Sequence, residues 1–358
     1  MSAAPRTAMS PELLTMAVGL GETLEGLDLK KGAYAGLSLG GGIFSRIDFA
    51  GTDFRGADLR ETVFDQCDLR GALASGANLR KAVFNRCTLD HVDLRDANLH
   101  GAVFTECDMA HAQMAQSVMT MATLSRCRLD HAVLRGVLLD SAVISQSVLL
   151  DVCADDTRWH YTTVTECDLA HLSWSGARML RNVFFKTSLR GKSFAGLTLE
   201  GCQFSSTDLG GADFSGVALA QCNFQGASLD GAKFAGATAP QAIFCAATGK
   251  GVDFAGARLR QAMFTGAVLP QADFSACDLY QAHFAGAMLR GANFTGAELT
   301  YADLRHADLG GADLRRASLL RTVLHGATTD DAQATDRARA LETDPELAQS
   351  ERWQPLVA

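Results

Sequence analysis

Imidazole returns at a fixed interval in this chain: His91, His111 and His131 are twenty residues apart, and Asp151 and His171 continue the row. Neutral imidazoles and carboxylates are ligands for divalent transition metals, and stacking residues twenty apart would set them about 5 Å from one another. A straight row of rings gives poor tetrahedral geometry, so the reading adopted is a solvated polar ladder, with no metal and no cofactor expected. Cysteine keeps the same interval at Cys67, Cys87, Cys107 and Cys127. These four, with Cys167, Cys202, Cys222 and Cys277, fall where Ala otherwise sits. They are read as reduced core fillers, which places the chain in the cytoplasm. A third group, Trp159, His160, Tyr161 and Trp174, is either an aromatic binding region or local repacking around the small Ala154. The chain has no phosphate loop, HExxH, CxxC pair or nucleophile elbow, so no catalytic residue is assigned and an enzyme is not expected.

The elements that must position these groups announce themselves by a period that is neither helical nor that of a single strand. The stretch YADLRHADLGGADLRRASLL, Tyr301–Leu320, returns Ala and Leu every fifth residue. The frame extends from residue 22 to 331. Nearly every number ending in 4 or 9, from Leu24 to Leu324, is large and apolar, and a small residue such as Ala57, Ala97 or Ala257 precedes it by two. Phe recurs every ten residues from Phe184 to Phe244, with Leu between, and Ile43, Val63, Val83 and Val103 recur every twenty. Five within twenty means four equal sides per coil, with the large and small residues turned inward and each residue stacked on the one twenty later. The pattern weakens across residues 143–197, where Ala154, Trp159, Val164, Trp174 and Met179 take the large positions and Asn182 and Lys192 take small ones. A buried Lys is costly unless its head escapes or is paired.

The A(D/N)LXX unit, as in Ala57-Asp58-Leu59, Ala97-Asn98-Leu99 and Ala312-Asp313-Leu314, resembles the pentapeptide-repeat proteins. The resemblance implies an all-β fold, a right-handed quadrilateral β-helix of about 15 coils. The chain then divides into an N-terminal capping segment (1–21), the repeat helix (22–331) and a C-terminal helical cap or tail (332–358). Ser10-Pro11-Glu12 opens a short helix, with Ser as N-cap and Pro at its first position. Caps of this kind keep the ends of a solenoid soluble. No apolar run is long enough for a membrane-spanning helix. Strand edges at the ends favour a monomer or an end-to-end homodimer, with Trp353-Gln354-Pro355-Leu356-Val357 as the docking tail.

Two functions follow from the resemblance. One is a protein-binding scaffold or adaptor, with the narrower form that it serves a type VI secretion effector module. The alternative is a duplex mimic that inhibits or protects a type II topoisomerase. A stack about 75 Å long would need about 44 negative charges to match DNA. The chain carries 40 acidic and 32 basic residues, a net of −8. That balance favours the scaffold, with another protein as partner and no direct nucleic-acid binding. The docking candidates lie on one side. Where other sides carry Asp53, Asp58, Asn78 or Asp93 before the inward residue, this side carries Ile43, Val63, Val83, Val103, Thr123, Val143, Thr163 and Val183. A continuous apolar stripe marks a contact surface, and this one leads toward Trp159, His160, Tyr161 and Trp174.

Overall fold

A computed structural model describes residues 9–351. The apolar tail from Trp353 to Val357, and with it the expected dimer contact, lies outside the described residues. The chain forms two compact units, with the division between Val183 and Phe184.

In the N-terminal unit each coil of twenty residues has four sides. One coil's parallel pairings are Asp28 with Asp48, Ala33 with Asp53, Ser38 with Asp58 and Ile43 with Val63. Within each five-residue side, the middle residue is extended and the residues before and after it turn inward. Thus Ala57, Leu59, Cys67, Leu69, Ala77 and Leu79 are all buried. The corner residues take a left-handed backbone, as Gly101 does at φ 66° and His91 at 57°. Gly does this freely, whereas a residue with a Cβ spends about 1–2 kcal/mol. Each corner amide is then bonded to the next coil, as His91 N–H is to Ala110 C=O at 3.0 Å.

One side of this unit differs from the other three. Its strands run from Thr23–Glu25 and Ile43–Ser45 through Val143–Ser145 to Thr163–Thr165, all parallel and in register. Elsewhere the corner closes with an i→i+3 bond, such as Gly32 N–H to Leu29 C=O at 3.1 Å. After these strands that bond is missing among the described residues. The freed carbonyls are met by the thiols of the following coil: Cys67 donates to Phe44 C=O, Cys87 to Phe64 and Cys107 to Phe84, at 3.2–3.4 Å. The cysteine row is therefore more than filler. It replaces the hydrogen bond that the open corner gives up.

The core is a stack of large side chains. Phe64, Phe84 and Phe104 lie face to face at 4.7–4.9 Å. Helix α1, Pro11–Gly19, covers the first coil with Leu14, Ala17 and Val18, and Ser10 accepts from Leu13 N–H as its cap. Tyr34 hydroxyl ties it down through Met9 C=O at 3.0 Å.

The C-terminal unit repeats the plan with two Phe columns. Phe224, Phe244 and Phe264 stack at 4.8 Å, and the column of Phe234, Phe254 and Phe274 meets them edge-on at about 88°. Its strand-like pairings are single bridges until Asp313–Leu314 pairs with Gln333–Ala334. Helix α2, Pro345–Glu351, follows a short 3-10 turn at Arg337–Arg339. Asp344 caps α2 by accepting from Glu346 and Leu347 N–H.

Candidate functional site

The distinctive side of the N-terminal unit is built from strands of pattern apolar, inward, polar. Because the register is exact from strand to strand, Ile43, Val63, Val83, Val103, Thr123, Val143 and Thr163 form one outward row. Val183 joins it, its N–H bonded to Thr162 C=O at 2.9 Å. Ile43 and Val143 are exposed, and the residues between them are half-buried against their neighbours. Parallel to this row run Ser45, Asp65, Asn85, Thr105, Ser125, Ser145 and Thr165, all half-buried. The face is thus a strip of methyl groups edged by short hydroxyl and amide groups and by the Asp65 carboxylate, which accepts from Asn85 and pairs with Arg86.

Two large exposed side chains stand at its preceding corner, Met121 (59%) and Tyr161 (52%). Tyr161 was anticipated and Met121 was not. The signal for Met121 was available, since corner residues along this chain are otherwise mostly Gly or polar.

The aromatic region reads differently in three dimensions. Trp159 is fully buried and Trp174 is 5% exposed, so neither ring offers a face to a partner. Trp159 Nε1 donates to Thr157 Oγ1. Trp174 lies on the side of Ala154, one coil on, where Ala154 N–H donates to Ser173 C=O at 2.9 Å. The rings occupy core volume that small residues leave empty, and only His160 and Tyr161 reach the surface. Asn182 is buried, its Oδ1 accepting from Thr162 N–H. Lys192 is also buried, at 9% exposure.

The imidazole row is real as a stack: His91 and His111 ring centres lie 4.5 Å apart, and His111 and His131 lie 5.3 Å apart. The structure adds a residue that the interval of twenty omits. Asp90 Oδ1 is 2.9 Å from His91 Nδ1 and 3.1 Å from His111 Nδ1. Burial works to raise the Asp90 carboxyl, but hydrogen bonds from His111 and His91 outweigh it and hold the group below the usual carboxylate range. His131 is turned to a different carboxylate, Asp151, at 3.9 Å.

Surface carboxylates elsewhere are neutralised locally. Asp53, Asp58, Asp93 and Asp313 each hold the guanidinium two residues on, at 2.6–2.7 Å. Asp68 and Asp303 do the same with Arg70 and Arg305. An Asp at the extended position and an Arg at the corner therefore present a paired ion and little free negative charge.

In comparison with known proteins, the family model described as Pentapeptide repeat region matches residues 37–114, 64–134 and 217–294. The model described as Pentapeptide repeats (8 copies) matches residues 297–328. A search of curated proteins finds no match. Among solved structures, the chain is similar to QnrB1, a plasmid-mediated fluoroquinolone resistance protein, at 19% identity, covering 44% of this chain and 83% of that one with a TM-score of 0.40. It is similar to HetL, involved in heterocyst differentiation regulation in the cyanobacterium Nostoc sp. strain PCC 7120, at 21% identity, covering 93% and 99% with a TM-score of 0.24. It is also similar to Rfr23 from the cyanobacterium Cyanothece 51142, at 19% identity, covering 44% and 91% with a TM-score of 0.20. Among the described residues no helix is long and apolar enough to cross a membrane.

Proposed function

Because the chain belongs to the pentapeptide-repeat family, we propose that it is a non-enzymatic scaffold that docks another protein along the β-branched side of its N-terminal unit. The observation that carries this is the unbroken outward row from Ile43 to Thr163, in register over seven strands. β-Branched residues favour extended backbone, which accounts for their presence in strands. It does not account for their unbroken run on one side, since at the same step the other sides pair mostly through Asp, Asn, Gln and Ser, with β-branched residues only scattered among them at Thr88, Val118, Val133 and Val148. A rigid strip of half-buried methyl groups loses little side-chain entropy when covered. A cytoplasmic setting belongs to this reading and is supported by ten free thiols, eight of them buried. Service to a type VI secretion effector module is its narrower form.

The duplex-mimic reading has less support. Mimicry needs unpaired negative charge along one face, whereas Asp53, Asp58, Asp68 and Asp93 each carry a guanidinium.

The test is the double variant Val83→Lys with Val103→Lys, used as bait in quantitative pull-downs from the native host. A control variant, Met263→Lys, lies on the C-terminal unit. Proteins recovered by wild type and by the control should be lost from the double variant while its circular dichroism stays native. Recovery of the same proteins by a natively folded double variant would show that the strip only stiffens the solenoid.

A further inference from the structure

Two clusters on this chain bring three metal-ligating groups together: Asp90 with His91 and His111, and His306 with His325 and Glu351. They are not equivalent. His325 Nδ1 accepts from Asp344 N–H at 3.1 Å, so its neutral ring carries the proton on Nε2 and donates it to Glu351 at 3.2 Å. A metal at that nitrogen would displace the proton to Nδ1 and break the bond to Asp344. The second cluster is a hydrogen-bonded latch.

The first cluster has no such commitment. Both imidazoles present Nδ1, and neither nitrogen has a backbone partner among the described residues; each faces only Asp90 Oδ1. Zinc binds nitrogen and carboxylate oxygen at about 2.0–2.1 Å, so neighbouring corners of its tetrahedron are about 3.3 Å apart. The two N···O separations, 2.9 and 3.1 Å, are already close to that edge, and all three ligand atoms lie within 4.8 Å of one another. The rings are held by the backbone, since His91 and His111 occupy successive coils at equivalent corners and their amides are bonded into the ladder. Ring stacking at 4.5 Å keeps the two nitrogens on the same side. His91 and His111 also remain partly open to solvent, which leaves an entry path and a fourth position for water.

We propose that Asp90, His91 and His111 form a binding site for a single divalent transition-metal ion of the zinc class, at a corner of the N-terminal unit. The ligand set is two neutral imidazoles and one carboxylate, a combination that suits zinc and its neighbours over magnesium or calcium. His131 belongs to Asp151 and is not a ligand, so the row of three imidazoles is divided by its carboxylates.

Calorimetric titration of the untagged full-length chain with Zn²⁺ tests this. Wild type should bind one ion per chain. Asp90→Asn and His111→Ala should each weaken binding by about tenfold or more, the scale of losing a group that holds or orients a metal. His131→Ala should bind like wild type. Wild type loaded with Co²⁺ should show the intense visible bands of a four-coordinate site, a readout independent of any variant. Zinc heats in Asp90→Asn equal to wild type would overturn the proposal, as would a weak six-coordinate Co²⁺ spectrum. A loss in His131→Ala as large as in His111→Ala would overturn the ligand set.

Discussion

At the scale of single residues, the cysteines show how a side chain answers for a backbone. Cys87 donates to Phe64 C=O at 3.2 Å, where the corner supplies no amide. Thr makes the same bond farther along the chain, with Thr207 hydroxyl donating to Phe184 C=O at 2.7 Å. Replacing Cys87 by Ala keeps the packing volume of the commonest occupant but strands a buried carbonyl, which costs about 1–3 kcal/mol. Cys87→Ala should therefore lower unfolding stability by that amount in a urea titration, and Cys87→Thr should restore most of it. Equal stability of the two variants would show that the thiols serve packing alone. Burial raises the thiols of Cys167, Cys222 and Cys277, the last pushed up to about 12, and the inward thiols are shielded from solvent, so a thiolate-directed reagent should label the half-buried Cys153 and Cys245 first. That thiols lie inward was legible from their place in the repeat. Their hydrogen bonds were not, because nothing in a five-residue unit says which corners open.

At the scale of elements, the ends are held by different devices. Helix α1 uses an apolar face and a cap, both readable from Ser10-Pro11 and the spacing of Leu14, Ala17 and Val18. Helix α2 has no buried residue of its own and depends on polar anchors. His325, 3% exposed, receives Asp344 N–H on one nitrogen and donates to Glu351 from the other, and His306 Nε2 reaches Glu351 at 3.4 Å. His325→Ala removes both anchors. Amide exchange across Pro345–Glu351 should then quicken by about tenfold or more, equal to about 1.4 kcal/mol of local opening, while the coils before it keep their protection. Unchanged exchange in α2 would show that it is held some other way.

At the scale of the molecule, charge pairing sets the response to acid. Hydrogen bonds from Arg55, Arg60, Arg95 and Arg315 hold Asp53, Asp58, Asp93 and Asp313 below the ordinary carboxylate value, Asp313 at about 2. A carboxylate depressed in the folded state stabilises it above the unfolded value, and that contribution fades as pH falls through the folded value. The melting temperature should be level from pH 7 to about 5 and fall between about pH 4 and 2. Exposed pairs contribute only about 0.2–1 kcal/mol each, so the decline should be shallow, and 0.5 M salt should flatten it. Melting curves over that range check this. A loss of stability that is complete above pH 5 would place the acid-sensitive groups elsewhere. The same pairing is why a count of acidic residues overstates the negative field of this protein.

The sequence alone determined the five-residue side, the twenty-residue coil, the inward Phe and Leu columns and the outward strip from Ile43 to Val183. It could do so because parallel stacking in register turns a period in the chain directly into a column in space. It also located the disturbed stretch with Trp159 and Trp174. Only the tertiary structure decided that both rings are buried, because whether an aromatic points in or out depends on the volume its neighbouring coils leave. Tertiary structure likewise brought Asp90 to His91 and His111, gave His131 to Asp151, and set each Asp against the Arg two places on. The His pairings depend on the direction of side chains at left-handed corners and on the neighbouring coil, and the Asp–Arg pairs on the side-chain rotamers within one turn; a one-dimensional period carries none of these.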